Sequence, residues 1–267
     1  MKIGTTSYAF RYLLAGSAGV RLGELAARVR GFGVEAFQVC ENARPLEAPE
    51  AEWREAIAQA RNSGIELQLG SMTLRVDTLR RYLERAAMIP SGVLRIVLEE
   101  EGGGKPGSLD IRRFLDAAMP ALEESGIALA IENHFDIPCR LLAEAAAGYP
   151  KDRVGFCVDS ANSLRNFEPP DQVMDLLGPR AMMFHLKDYR IRGSNVGFSV
   201  EGAPLGQGDL DVAGFLARVF ARDSSPAVFL ENWAPPTGDF AADVETDARW
   251  LRESLSYLRD VVARKQA

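Results

Sequence analysis

Four polar residues close short apolar runs in the second half of the chain. ALAI is followed by Glu132, VGFCV by Asp159 and AVFL by Glu231, and MMF leads into His185. Three carboxylates brought together without a cation would repel one another strongly, and a divalent ion removes that penalty. A set of three oxygen donors and one imidazole, with no thiolate, suits Mn²⁺, Mg²⁺, Co²⁺ or Zn²⁺. Taken singly, each residue has a plainer role as a salt-bridge partner, helix cap or packed histidine. The coincidence carries the reading: the chain has two histidines, His134 and His185, and one falls on the run between two carboxylate-bearing runs.

Elements that would bring such residues to one rim are legible around them. Strand-like runs fall at Lys2–Thr6, Ala36–Val39, Leu67–Leu69, Leu94–Leu98, Ala128–Ile131, Val154–Val158, Met182–Leu186 and Ala227–Leu230. Helical spacing covers about 23–30, 50–63, 75–88, 109–124, 138–147, 170–177, 211–221 and 241–264. The helix at 109–124 stops at Gly126, a residue suited to a left-handed cap. Residues 101–108 and 192–210 are rich in glycine and read as loops, the second long enough to serve as a lid. Eight strands alternating with helices predict a parallel sheet, and eight such units predict a closed (β/α)₈ TIM barrel. No linker divides the chain, so 1–267 reads as a single TIM-barrel domain. In that fold the site lies at the C-terminal ends of the strands, where the four residues fall.

Composition narrows the partners. The 267 residues carry a net charge of −6 with a pI near 5.2, whereas nucleic-acid binding is driven by a basic surplus. Cys40, Cys139 and Cys157 form no CxxC pair, which argues against a disulfide framework and for small core residues in a reducing cytoplasm. The N-terminus has no signal-peptide pattern, and no run approaches a membrane span. The expected partner is a small carbohydrate-like molecule, with no nucleic acid and no membrane.

IENH (131–134), VDSAN (158–162), HLKD (185–188), GAPLGQGDLD (202–211) and LEN (230–232) together resemble the xylose isomerase-like TIM-barrel superfamily of sugar isomerases, epimerases and related lyases. The resemblance implies that Glu132, Asp159, His185 and Glu231 ligate one divalent metal, with Glu132 and Glu231 also the acid/base pair, and that a homo-oligomer is possible. It places Lys187 facing the site and puts Asn162 where some epimerases carry a histidine. A branch that repairs DNA through a three-zinc cluster needs more histidines than this chain has. The implied reaction is isomerisation or epimerisation of a keto sugar or related hydroxy-carbonyl compound by proton transfer through an enediolate. It requires that each ligating carboxylate keep a second oxygen free for the substrate proton. A dehydratase of a cyclic polyol ketone shares the first step, and a sugar-binding module without catalysis is the third reading.

Further residues remain open on sequence alone. Lys187 serves a substrate oxygen or an ion pair with Asp188 or Glu201. His134, two residues after Glu132, shares its face in an extended chain and either meets substrate or packs. Trp233 and Phe10 are candidate apolar walls, with core packing the stronger expectation for Phe10. Lys105 in the 101–108 loop offers a phosphate contact, although the loop is no Walker motif.

Overall fold

A computed structural model of the chain describes residues 1–16, 20–99, 104–222 and 226–266. Its strands are β1 (Lys2–Thr6), β2 (Ala36–Val39), β3 (Glu66–Met72), β4 (Val93–Val97), β5 (Ala128–Glu132), β6 (Val154–Asp159), β7 (Ala181–Leu186), β8 (Asp188–Ser194), β9 (Gly197–Ala203) and β10 (Ala227–Leu230). Its α-helices are α1 (Arg11–Gly16), α2 (Leu22–Arg30), α3 (Glu50–Asn62), α4 (Val76–Ala86), α5 (Ser108–Ser125), α6 (Cys139–Ala146), α7 (Pro170–Leu177), α8 (Val212–Phe220) and α9 (Phe240–Gln266). Eight strands close a parallel barrel in the order β1-β2-β3-β4-β5-β6-β7-β10, as the alternation of runs and helices predicts. Among the described residues no helix is long and apolar enough to cross a membrane.

The pleat sorts each strand into two faces. Leu67, Leu69, Leu94, Ile96, Leu129, Ile131, Phe184, Leu186, Val228 and Leu230 belong to one large cluster shared with the helices. Ala36, Ala130, Cys157, Met183, Ala227 and Phe229 form a second, smaller cluster inside the barrel. Those interior residues are mostly small, and on β5, β6, β7 and β10 the next residue but one on the same face is Glu132, Asp159, His185 or Glu231. An apolar floor thus lies directly beneath a polar top layer. Helix ends agree with the sequence expectation to within a residue or two, and Gly126 caps α5 with φ 69°.

One expectation is overturned. The stretch 192–210 is not a loop throughout, because β8 and β9 pair antiparallel with Ser194 opposite Gly197, leaving a two-residue turn at Asn195 and Val196. Ile191, Phe198 and Val200 alternate with Arg190, Arg192, Ser199 and Glu201, a period-two pattern that the nearby glycines obscure. Gly202 lets this ribbon pass close to Trp233: a Cβ there would lie 2.4 Å from the Trp233 carbonyl oxygen.

Asp188 fastens the segment that follows. Its buried carboxylate accepts N–H bonds from Gly206 (2.8 Å), Gly208 (2.9 Å) and Leu210 (3.1 Å), while a Cβ on Gly208 would lie 2.1 Å from Asp188 Oδ1. The GAPLGQGDLD motif is therefore a chain folded around one carboxylate. Buried N–H groups deprived of their acceptor are costly, so Asp188→Ala is expected to lower stability by roughly 3 kcal/mol in denaturant titration.

Candidate metal centre

Glu132, Asp159, His185 and Glu231 converge at the C-terminal mouth of the barrel, each at most 5% exposed. Donor atoms of Asp159, His185 and Glu231 all lie within 4.8 Å of one another. His185 Nδ1 stands 3.3 Å from Glu132 Oε2 and 3.3 Å from Glu231 Oε1. All four residues expected to share one rim are thus brought together.

The strands around them fix each donor. His185 Nε2 lies 3.0 Å from Gln38 Oε1, an acceptor reaching in from β2. That contact assigns the ring proton to Nε2 and leaves the Nδ1 lone pair directed at the carboxylates, the arrangement usual for an imidazole that binds metal. The backbone N–H of Ala161 and of Asn162 each donate to Asp159 Oδ1 at 2.8 Å, so Oδ2 alone faces the centre. Asn133, the third residue of IENH, accepts the Asp159 N–H at 2.7 Å and donates to the Asp159 carbonyl at 3.0 Å, stitching β5 to β6.

Sequence reading missed Arg95. Its guanidinium is buried within the barrel, with Nε donating to Glu132 Oε2 and NH1 donating to Glu41 Oε2 at 2.9 Å. Gln38 and Thr6 were missed with it; the Thr6 hydroxyl donates to Glu231 Oε1 at 2.8 Å. Arg95 and Gln38 sit inside apolar runs (LRIVL and AFQV) and Thr6 ends KIGTT, whereas the four expected ligands all fall at the ends of runs in the second half. A polar residue in interior register within an apolar strand was the available signal.

Lys187 is embedded in the cluster rather than paired with Asp188 or Glu201. Its ammonium lies 2.8 Å from Glu231 Oε2 and 3.1 Å from Asp159 Oδ2, and it donates to Asn162 Oδ1 at 3.2 Å. Asn162 in turn donates from Nδ2 to Glu132 Oε1 at 2.9 Å. Each oxygen of Glu132 and each oxygen of Glu231 consequently faces a donor already.

Burial raises the Glu132 carboxyl, but the Arg95 guanidinium, with His185 beside it, holds it well below the ordinary range. Glu231 shows the same balance, with Lys187 the main counterweight to burial. Burial pushes Asp159 upward, and Lys187 only partly offsets this. For His185, burial pulls downward and the Glu132 and Glu231 charges more than compensate, so its pKa lies above the ordinary imidazole value.

These residues fit a metal. His185 Nδ1 and Asp159 Oδ2 are buried and make no hydrogen bond, since their neighbours at ion-pair distance are poorly aligned. Four carboxylates (Glu132, Asp159, Glu231, Glu41) against two cations (Arg95, Lys187) leave two negative charges, the charge of one divalent ion. Cys157 also approaches Glu132 and His185, but burial pushes its thiol far up and keeps it protonated, a poor ligand state.

The remaining candidates separate. His134 points away from the cluster to the rim, where its Nδ1 meets Glu99 Oε1. Trp233 is half-buried and donates from Nε1 to the Asp188 carbonyl at 3.0 Å, with its ring beside Asn162. Phe10 belongs to the core, edge-on to Phe32 and Phe37. Of the loop 101–108, residues 101–103 lie outside the described residues, and Lys105 pairs with Asp136 at 2.9 Å. Cys40, Cys139 and Cys157 are all buried and free.

The xylose isomerase-like TIM barrel family model matches residues 24–260. The chain belongs to that family. Among curated proteins, the 3-oxo-isoapionate decarboxylase of Pectobacterium atrosepticum is 28% identical over 265 residues, covering 97% of this chain and 95% of that protein. A structure of D-psicose 3-epimerase in the presence of D-fructose superposes with a TM-score of 0.73 at 15% identity, covering 97% of both chains. The IOLI protein, solved with a binding zinc atom, superposes with a TM-score of 0.74 at 13% identity, covering 99% of both chains.

Removing Arg95 tests how the cluster is held. Arg95→Met leaves Glu132 buried without its principal counter-charge, so stability near neutral pH is expected to fall by about 3–5 kcal/mol. Glu132 in the parent is depressed below its ordinary 4.5, so its stabilisation is present above that value and lost as pH falls. The gap between parent and variant should therefore narrow on acidification, as followed by denaturation at several pH values.

Proposed function

We propose that this chain is a divalent-metal-dependent carbon–carbon lyase that decarboxylates a 3-oxo acid of carbohydrate type. The observation that carries the reading is that both oxygens of both candidate acid/base carboxylates are engaged. Glu132 receives Arg95 and Asn162, and Glu231 receives Thr6 and Lys187. Epimerisation and dehydration both begin by lifting a proton from carbon, which needs a carboxylate oxygen free to take it. Decarboxylation needs no such base.

Glu132, Asp159, His185 and Glu231 would hold the ion. When bound, a divalent ion supplies Lewis-acid stabilisation of the negative charge developing on the substrate's ketone oxygen. The bond between the carboxylate carbon and its neighbour breaks, its electron pair passes into an enolate, and CO₂ departs. Lys187, whose pKa the surrounding carboxylates raise despite burial, delivers one proton to the carbon and recovers one from solvent. Arg95 keeps Glu132 ionised, Thr6 orients Glu231, and Asn162 bridges Lys187 to Glu132. The decarboxylase relative, matched along nearly its whole length, supports this choice.

The second reading is isomerisation or epimerisation of a keto sugar. It is favoured by the placement of Glu132 and Glu231 on β5 and β10, each 3.3 Å from His185 Nδ1, and requires Asn162 and Lys187 to release them.

Mn²⁺-loaded protein in D₂O, offered a panel of 3-oxo sugar acids and ketoses, separates the two. Decarboxylation predicts CO₂ release above the spontaneous background, with one solvent deuterium in the product. Deuterium exchange into ketoses without CO₂ would establish the second reading in its place. The ligand assignment predicts one bound ion per chain by metal analysis and its loss in Glu231→Ala; undiminished metal in that variant would refute it.

A further inference from the structure

A cavity of about 270 Å³ opens beside the cluster, lined by Phe135, Leu164, Phe167, Phe198, Val200 and Trp233 together with Asn162. Asn162 is common to both, since its side chain touches Glu132 and Lys187 and its surface faces the cavity. Whatever group the cluster holds can therefore extend directly into an apolar space.

The wall of that space is exposed where an ordinary surface would be polar. Among the described residues, large apolar side chains stand well exposed at six positions; two of them, Phe167 and Phe198, line the cavity, and two more, Ile191 and Val196, stand on the β8–β9 hairpin that carries Phe198. Contiguous apolar surface of this kind marks a binding site far more often than scattered single residues do. Phe198 and Val200 lie on one face of the β8–β9 ribbon, and Ile191 pairs with Val200 across it. The opposite face carries Arg192 and Glu201, 3.8 Å apart as an ion pair. The ribbon is thus amphipathic, with its apolar side toward the cavity.

Phe167 is held there at a cost. It follows the 3₁₀ turn Asn162–Asn166 with φ 60° and ψ 28°, a left-handed conformation unfavourable for a bulky residue and concentrated at functional sites. The residue is 77% exposed, and its ring meets that of Phe198 edge-on at 6.0 Å. Arg165 brings a cation to the lip, 3.5 Å from Asp136, a carboxylate that it shares with Lys105.

The geometry points to this cavity as a second subsite that receives an uncharged apolar tail on the substrate, an alkyl or aryl group attached beyond the reacting carbons. The inference rests on the proposed reading only for the head group, a hydroxy-carbonyl unit or its equivalent at the metal. It extends the substrate class from small sugar acids to tailed ones.

Two hydroxamates test it on Mn²⁺-loaded protein by titration calorimetry. Acetohydroxamate offers the metal-binding head alone, and 3-phenylpropionohydroxamate adds an aryl tail. Burial of the ring is expected to tighten binding by about ten- to a hundred-fold. Phe198→Ser and Phe167→Gly should each remove most of that advantage while leaving acetohydroxamate binding unchanged. Phe167→Gly, which relieves the backbone, should unfold at no lower temperature than the parent and so guards against a folding defect in Phe198→Ser. Equal affinities for the two ligands in the parent would overturn the subsite and leave the metal reading intact. Tailed binding that depends on Phe198 without any acetohydroxamate binding would sustain the subsite and sink the head-group reading; no binding of either would sink both. A dimer in sedimentation velocity that Phe198→Ser dissolves would assign the apolar face to a second copy of the chain instead.

Discussion

Everything at the mouth of this barrel follows from three buried carboxylates directed at one imidazole nitrogen. Such a group of charges has no stable arrangement by itself. The chain answers with a guanidinium from β4 and an ammonium just past β7, and because Arg95 is shared with a fourth carboxylate, Glu41, the two charges still unanswered equal those of a divalent ion. The surrounding polar contacts read as devices for keeping this balance in register. Gln38 orients the imidazole, the Asp159 turn points one oxygen inward, Thr6 holds the Glu231 oxygen that faces His185, and Asn162 holds the Glu132 oxygen that faces away from it.

The same balance bears on chemistry. Carboxylates that adjacent cations hold ionised are weak proton acceptors, while each of their oxygens keeps a lone pair that a metal could take. A family fold that elsewhere includes an epimerase is, in this chain, furnished with cations packed against the very groups a two-base mechanism would use. On the proposed reading Lys187 is the proton carrier within the cluster, and only one proton has to be delivered after a carbon–carbon bond has broken.

Much of the barrel was legible because its signals are local. Apolar runs such as ALAI and AVFL, buried on both faces, stand out against amphipathic helices, and the polar residue closing each run is conspicuous. That was enough to assemble Glu132, Asp159, His185 and Glu231. Arg95, Gln38 and Thr6 escaped because their significance lies in which way the pleat turns them, and a one-residue change of face is invisible when a run is treated as uniformly apolar. The β8–β9 ribbon escaped because its glycines resemble loop punctuation, and pairing between two strands is a non-local fact. His134, expected to share the face of Glu132, meets Glu99 instead, because the strand ends at that glutamate and the alternation no longer directs the side chain inward.

The contact between Gln38 and His185 ties the two halves of the sequence together. Every proposed donor to the metal comes from residues 132–231, yet the imidazole's tautomer is set by β2, one glutamate is steadied by β1 and another is neutralised by β4. The first half of the barrel is therefore no inert scaffold on which a self-sufficient centre was built. A half-barrel beginning at β5 would retain the full donor set and lose the tuning that makes it a centre, so duplication or exchange of that segment among barrels cannot transplant the chemistry without its distant supports.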